Sequence, residues 1–142
     1  MFTRYQVNKI LLSAVVLSYF FVSSAPAEAQ TITGFQMPSK NIACLVFDHV
    51  LRCDINNNLA KIPPQPKSCD LDWGFAFTMG EKSKPQYLCA GDTALDNRLP
   101  ILAYGKTWKS QGFTCQSSKA GLRCFNQSKK GWFLNRLQQQ FF

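Results

Sequence analysis

The chain has one histidine, His49, and no acidic residue after Asp96. Histidine is the usual general base near neutral pH, so imidazole catalysis would rest on His49 alone. Counting from the flanking cysteines places His49 at a hairpin tip beside Asp48, which reads as a turn. Neither Gly-x-Ser-x-Gly nor His-Glu-x-x-His occurs, so the signatures of an elbow serine and of a zinc protease are missing. Cys-x2-Cys is also missing, and two cysteines with eight residues between them are not spaced as metal ligands. No metal and no cofactor are expected. Long apolar runs are scarce as well. Ile10 to Val22 is nearly all apolar but falls short of the roughly 20 residues that span a bilayer.

That run instead completes an export signal. Arg4 and Lys9 precede it, and Ala27-Glu28-Ala29 fits the small-x-small cleavage pattern. Residues 1–29 are read as a cleaved signal peptide and 30–142 as one domain, with no membrane span left after cleavage. No cysteine sits at the cut, so no lipid anchor is expected there. The compartment implied is secreted or periplasmic. All six cysteines lie in the mature part, an even number suited to an oxidising compartment.

Four of these cysteines belong to a pattern that occurs twice. Residues 39–53 and 110–124 each hold two cysteines nine positions apart, and each ends on Leu-Arg-Cys. A two-residue turn at Asp48-His49 sets Phe47 opposite Val50, Val46 opposite Leu51, Leu45 opposite Arg52 and Cys44 opposite Cys53. Facing pairs alternate along a hairpin, so the cysteines fall on a non-hydrogen-bonded pair, with α-carbons about 4.5 Å apart, within reach of a disulfide. The same count sets Cys115 opposite Cys124 around Lys119-Ala120, with Gly121 able to take a left-handed conformation at a bulge. The pair left over is Cys69 with Cys89. No thiol then remains free to serve as a nucleophile. Ser39/Ser110, Cys44/Cys115, Leu51/Leu122, Arg52/Arg123 and Cys53/Cys124 match across the two copies, consistent with a duplication or with two independent cystine hairpins.

Short apolar segments separated by turn signals run through the rest of the mature chain. Strands are expected at 33–37, 41–47, 50–55, 69–79, 86–90, 101–104, 106–117, 122–127 and 131–135, and an irregular excursion at the Asn- and Pro-rich 56–68. Leu134, Leu137 and Phe141 fit helical spacing, so a short C-terminal helix is added. The fold class expected is all-β, a small disulfide-stapled antiparallel sandwich or open barrel built on the two cystine hairpins.

Charge is unevenly spread. Loss of Arg4, Lys9 and Glu28 takes the formal charge from +8 to +7. Arg98, Lys106, Lys109, Lys119, Arg123, Lys129, Lys130 and Arg136 all follow Asp96, and no acid accompanies them. A cationic unit of this kind suits an anionic cell-envelope polymer, lipid headgroups or an acidic protein. On the second hairpin Cys115, Leu122 and Cys124 take one face and Thr114, Gln116, Arg123 and Phe125 the other. Lys106, Lys109, Lys129 and Lys130 flank that second face. With Trp108 and Trp132 these residues form the candidate ligand-binding set, since aromatic rings beside cations stack on sugars or anchor interfaces. Two other function classes are carried. One is a wall-glycan hydrolase using Asp70 or Asp72, which share a strand face. The other is an inhibitor of a secreted enzyme. Export disfavours nucleic acid as a partner, and a monomer is expected. Asn126-Gln-Ser128 matches a glycosylation sequon.

Several short signatures occur together in order: Phe35-x-Met-Pro-Ser-x-Asn-Ile-x-Cys44, Arg52-Cys-Asp54, Asp72-Trp-Gly74, Cys89-x-x-Asp-Thr93, Leu102-x-Tyr-Gly105, Phe113-x-Cys115, Gly121-Leu-x-Cys124 and Gly131-x-Phe133. The mature chain thereby resembles a family of small secreted bacterial proteins classified only as a domain of unknown function. The resemblance implies export and three cystines, and it implies no activity.

Overall fold

A computed structural model describes residues 33–142. The signal-peptide reading of 1–29 lies outside these residues. Ten strands form two five-stranded antiparallel sheets. The first holds β1 (Thr33–Gln36), β2 (Ile42–Phe47), β3 (Val50–Ile55), β4 (Asp72–Gly80) and β5 (Gln86–Ala90) in chain order. The second holds β6 (Thr107–Ser110), β7 (Phe113–Ser118), β8 (Gly121–Phe125), β9 (Gly131–Leu134) and β10 (Gln139–Phe141), again in chain order. The arrangement is an all-β sandwich of two meanders.

Local geometry explains the registers. Asp48 and His49 both have positive φ (47° and 60°), the two left-handed positions of a type I′ turn, whose twist matches that of the flanking strands. Phe47–Val50, Val46–Leu51, Leu45–Arg52 and Cys44–Cys53 are partners as counted. Cys115 faces Cys124 in the second hairpin. The disulfides are 44–53, 69–89 and 115–124, and the Cα atoms of each hairpin cystine lie 4.1 Å apart. Strands β2 and β7 and the starts of β3 and β8 coincide at an offset of 71 residues. The duplicated pattern therefore lies at the same place in both sheets.

The core shows the same correspondence in three dimensions. Across the first sheet, Phe35, Cys44, Cys53, Phe77 and Tyr87 are successive partners. Across the second, Trp108, Cys115, Cys124, Trp132 and Phe141 are successive partners. The two rows lie face to face. Phe35 meets Trp108 at 5.1 Å between ring centroids, Phe77 meets Trp132 at 6.2 Å, and Tyr87 meets Phe141 at 5.0 Å. The cystines meet at the centre, where the Sγ atoms of Cys44, Cys53 and Cys124 lie within 4.8 Å of one another. All of these sulfurs are in disulfides and offer no thiolate to a metal. Aromatic pairs at such separations add about 0.5–1.5 kcal/mol each beyond their buried area.

Three expectations change. Among the described residues there is no helix, and 134–141 forms a strand pair instead. The Asn135 side-chain oxygen accepts from the backbone N–H of Leu137 and of Gln138 (2.8 Å each), and that turn reverses the chain into β10. The expected strand at 101–104 shrinks to one parallel bridge between Gln36 and Ile101. The segment 106–117 is broken into β6 and β7 by Gln111 and Gly112, with φ of 44° and 81°. Trp73, Phe75 and Phe77 do not share a face, because a register shift around Gly74 (φ 87°) leaves Phe75 exposed and Phe77 buried.

The chain segment that links the two sheets is a strap, residues 91–102, which passes from β5 back to β1 across the outer face of the first sheet. Its contacts follow that path. Ala94 N–H donates to Asp54 on β3 (2.8 Å), Gln36 Nε2 on β1 donates to the carbonyls of Asn97 (3.0 Å) and Leu99 (2.6 Å), and Leu102 N–H donates to Gln36 O (2.9 Å). The reason is topological. The first meander ends on its far edge, β5, whereas β6 must lie opposite β1.

Candidate functional site

The strap makes the two outer faces unlike. One outward row of the first sheet, Gln36, Ala43, Asp54 and Ala76, is buried, whereas the next row, Leu45, Arg52 and Thr78, is half-buried. On the second sheet Thr107, Gln116, Arg123, Phe133 and Gln140 form one outward row, and Lys109, Thr114 and Phe125 another. All of these side chains are exposed or half-buried. Strand alternation puts them here, since every second residue faces the core. Arg123 lies over the Phe142 ring at 4.0 Å, and Lys129 Nζ lies 5.2 Å from the Phe125 centroid. Both are within cation–π range and keep the flat rings beside positive charge. A depression of about 360 Å³ bounded by Lys84, Lys130, Phe141 and Phe142 continues the face past its β10 edge. No Asp or Glu side chain belongs to this face.

The residues put forward from sequence divide into two groups. Arg123, Phe125 and Lys109 share the outer face, Lys129 and Lys130 rise from the β8–β9 turn, and Lys106 is exposed just before β6. Trp132 is corrected: it is 0% exposed and is a core residue. Trp108 also turns inward, half-buried against Phe35. Phe133 and Phe142 join the face although sequence reasoning passed over them. Phe133 pairs with the outward Arg123, one position past Trp132, which pairs with the inward Cys124. Phe142 is hidden in sequence because Leu134, Leu137 and Phe141 fit helical spacing. Lys84 reaches this region from the β4–β5 turn of the other sheet, which no local pattern signals.

Aspartates gather on the first sheet. Asp54, Asp72 and Asp92 border a depression of about 270 Å³, and Asp70 is not among its lining residues. Arg52 is the hub: Nε and Nη2 donate to the two Asp54 oxygens, Nη1 to Asp92 Oδ1 and Nη2 to Asp92 O, all at 2.8 Å. The hydrogen bonds to Asp54, ahead of the opposing effect of burial, raise the Arg52 guanidinium above its usual range. Its hydrogen bond to Asp92 holds that exposed carboxyl below the usual carboxylate range. Asp96 is lowered to about 2, chiefly by the hydrogen bond from Arg98. Both Asp54 oxygens are engaged, one of them also by Ala94 N–H. Asp54 therefore fastens the strap to β3.

Two further side chains stitch turns together. His49 Nδ1 meets Glu81 Oε1 at 2.7 Å, a partner 32 residues away that the hairpin count could not show. Asn126 is 1% exposed. Its amide donates to the carbonyls of Gly80 (2.9 Å) and Ser83 (2.7 Å), and its oxygen accepts from Ser128 and Lys130 N–H. The sequon asparagine is thus an internal pin between the sheets, closed to a glycan.

No helix among the described residues is long and apolar enough to cross a membrane. Comparison with curated proteins and with solved structures returns no match. One family does match, across both cystine hairpins and the whole sandwich: the chain belongs, over residues 14–142, to the family of unknown function DUF6636.

Proposed function

We propose that this protein is an exported binding module whose outer second-sheet face takes up an anionic polymer of the cell envelope. The observation that carries the reading is an uncovered sheet face with Lys109, Arg123, Lys129 and Lys130 around Phe125, Phe133 and Phe142 and no acidic side chain. Cations on a flat surface attract an extended polyanion, and aromatic rings beside them contact its apolar faces. Export is supported by the signal-like residues 1–29 and by three disulfides with no free cysteine among the described residues.

The test is retention on immobilised dextran sulfate against neutral dextran. Elution by salt is expected, because exposed charges are screened within about 8 Å at physiological ionic strength. The triple variant Lys109→Gln, Arg123→Gln, Lys130→Gln should elute at clearly lower salt. Equal retention on both matrices, or an unchanged elution point for the triple variant, would refute the reading.

A further inference from the structure

A second concavity, of about 310 Å³, lies at one end of the sandwich, away from the proposed polymer face. Ser39, Asn41, Tyr104, Lys119, Arg136 and Leu137 line it. They come from four separate turns: β1–β2, the segment before β6, β7–β8 and β9–β10. Loops gathered at one end of a rigid sandwich are where ligand contacts are commonly built.

These turns are tied to one another. Asn135 Nδ2 donates to Ala120 O (2.9 Å), Gly105 N–H to Ser117 O (2.7 Å), Leu59 N–H to Arg136 O (2.7 Å) and Asn57 N–H to Asn41 Oδ1 (2.9 Å). A rim held in this way loses little freedom on binding, which favours affinity for small molecules. Within it, Leu137 is 75% and Tyr104 39% exposed. Asn135 holds Leu137 outward through the same turn that ends β9.

The charge is all of one sign. Neither Lys119 nor Arg136 has an ion-pair partner among the described residues, and the lining contains no Asp or Glu. The side chains sort by chemistry: two cations for a carboxylate, a hydroxyl and an amide for ring hydroxyls, and an aromatic face with a leucine for the C–H side of a ring. A bare phosphate would leave Tyr104 and Leu137 unused. An acyl chain would need a longer apolar channel. The volume sits at the low end of small-molecule sites, about 300–1,000 Å³, and suits one or two rings.

We infer that this turn-end cleft binds a carboxylated sugar of the uronate type, with its carboxylate on Arg136 and Lys119 and its ring against Tyr104. The inference is independent of the polymer face, and the two fail separately. The ligand source is either a free monosaccharide or the terminal residue of an acidic glycan.

The test is ¹H–¹⁵N NMR titration of the folded protein with three probes: galacturonate, its neutral methyl ester and an oligogalacturonate. Galacturonate should shift the amides of Lys119, Ala120, Arg136 and Leu137, with binding roughly tenfold weaker for the ester because a charge-assisted contact is lost. Lys119→Gln with Arg136→Gln should weaken binding by a similar factor. Tyr104→Ala should also weaken it, whereas Lys109→Gln with Arg123→Gln should leave these shifts unchanged. Tighter binding of the oligomer at the same amides would point to a glycan terminus, and equal binding to a free sugar. Equal shifts with acid and ester, shifts confined to the second-sheet face, or no shifts well above a millimolar concentration would overturn the inference.

Discussion

Replacing Arg52 with Met tests whether the strap over the first sheet is held by one charge cluster. The substitution keeps the apolar stem and removes four hydrogen bonds of 2.8 Å, two of them to Asp54, which is 4% exposed. Breaking a buried pair leaves an uncompensated charge, at a cost of about 3–5 kcal/mol. Water reaches the Arg52 side of this pair, whose side chain keeps 21% of its surface exposed, so the expected loss is lower, about 2–4 kcal/mol. For a domain of this length roughly 3–5 °C is lost per kcal/mol, a fall in Tm of about 6–20 °C. The assay is thermal unfolding by circular dichroism without reductant, so that the cystines stay closed. Hydrogen exchange gives a local readout, since the Ala94 amide loses protection when its Asp54 acceptor moves. The double variant Arg52→Met, Asp54→Leu should recover much of the loss, because an apolar pair of similar volume is often tolerated where half an ion pair is not. A fall of less than about 3 °C for Arg52→Met, or unchanged protection at Ala94, would refute this reasoning.

Acid should loosen the same strap before the sandwich unfolds. Asp92 and Asp96 have folded values below their ordinary 3.8, so their contribution is present above that value and is lost as pH falls through the folded one, about 2 for Asp96. Protection factors over 92–98 (exchange rates corrected for their intrinsic fall toward acid), followed from pH 5 to pH 2 (a window set by those values), should drop ahead of those of core amides; simultaneous loss would count against it. Asn126→Ala should lower stability by about 2–4 kcal/mol in urea unfolding, since it removes four hydrogen bonds that a buried side chain makes to backbone at Gly80, Ser83, Ser128 and Lys130; a loss under 1 kcal/mol, no more than one ordinary hydrogen bond, would contradict the pin. Cys115→Ala frees the Cys124 thiol beside the Cys44–Cys53 disulfide. Its thiolate can attack one of those sulfurs and release the other as a thiol. Peptide mapping should then find Cys124 joined to Cys44 or Cys53 in part of the material, and an intact 44–53 bond throughout would exclude the exchange.

Sequence legibility followed sequence distance. Cys44–Cys53 and Cys115–Cys124 were countable because each pair closes a loop of nine positions around a two-residue turn, and the strand period of two then assigns every neighbour to a face. Arg123 and Phe125 were placed on the outward side by that same period. Asn135 shows where local reading fails. The spacing of Leu134, Leu137 and Phe141 fits a helix, but the Asn135 side chain satisfies backbone amides that a helix would have used. Trp132 shows another failure. An aromatic next to a glycine reads alike on either side of a sheet until the partner sheet is known.

By itself the sequence determined what contiguous chemistry can determine: two cystine hairpins, their registers, an all-β class and a final third without carboxylates. Only the tertiary structure decided that the two aromatic–cystine rows stack face to face, that the strap covers one outer face, and that Lys84 and Phe142 come together at the edge of the other. The division is physical. Turn geometry and side-chain alternation act over a few residues, whereas burial is settled by which sheet lies opposite, and that contact joins ring pairs 54 to 73 residues apart in closing the core.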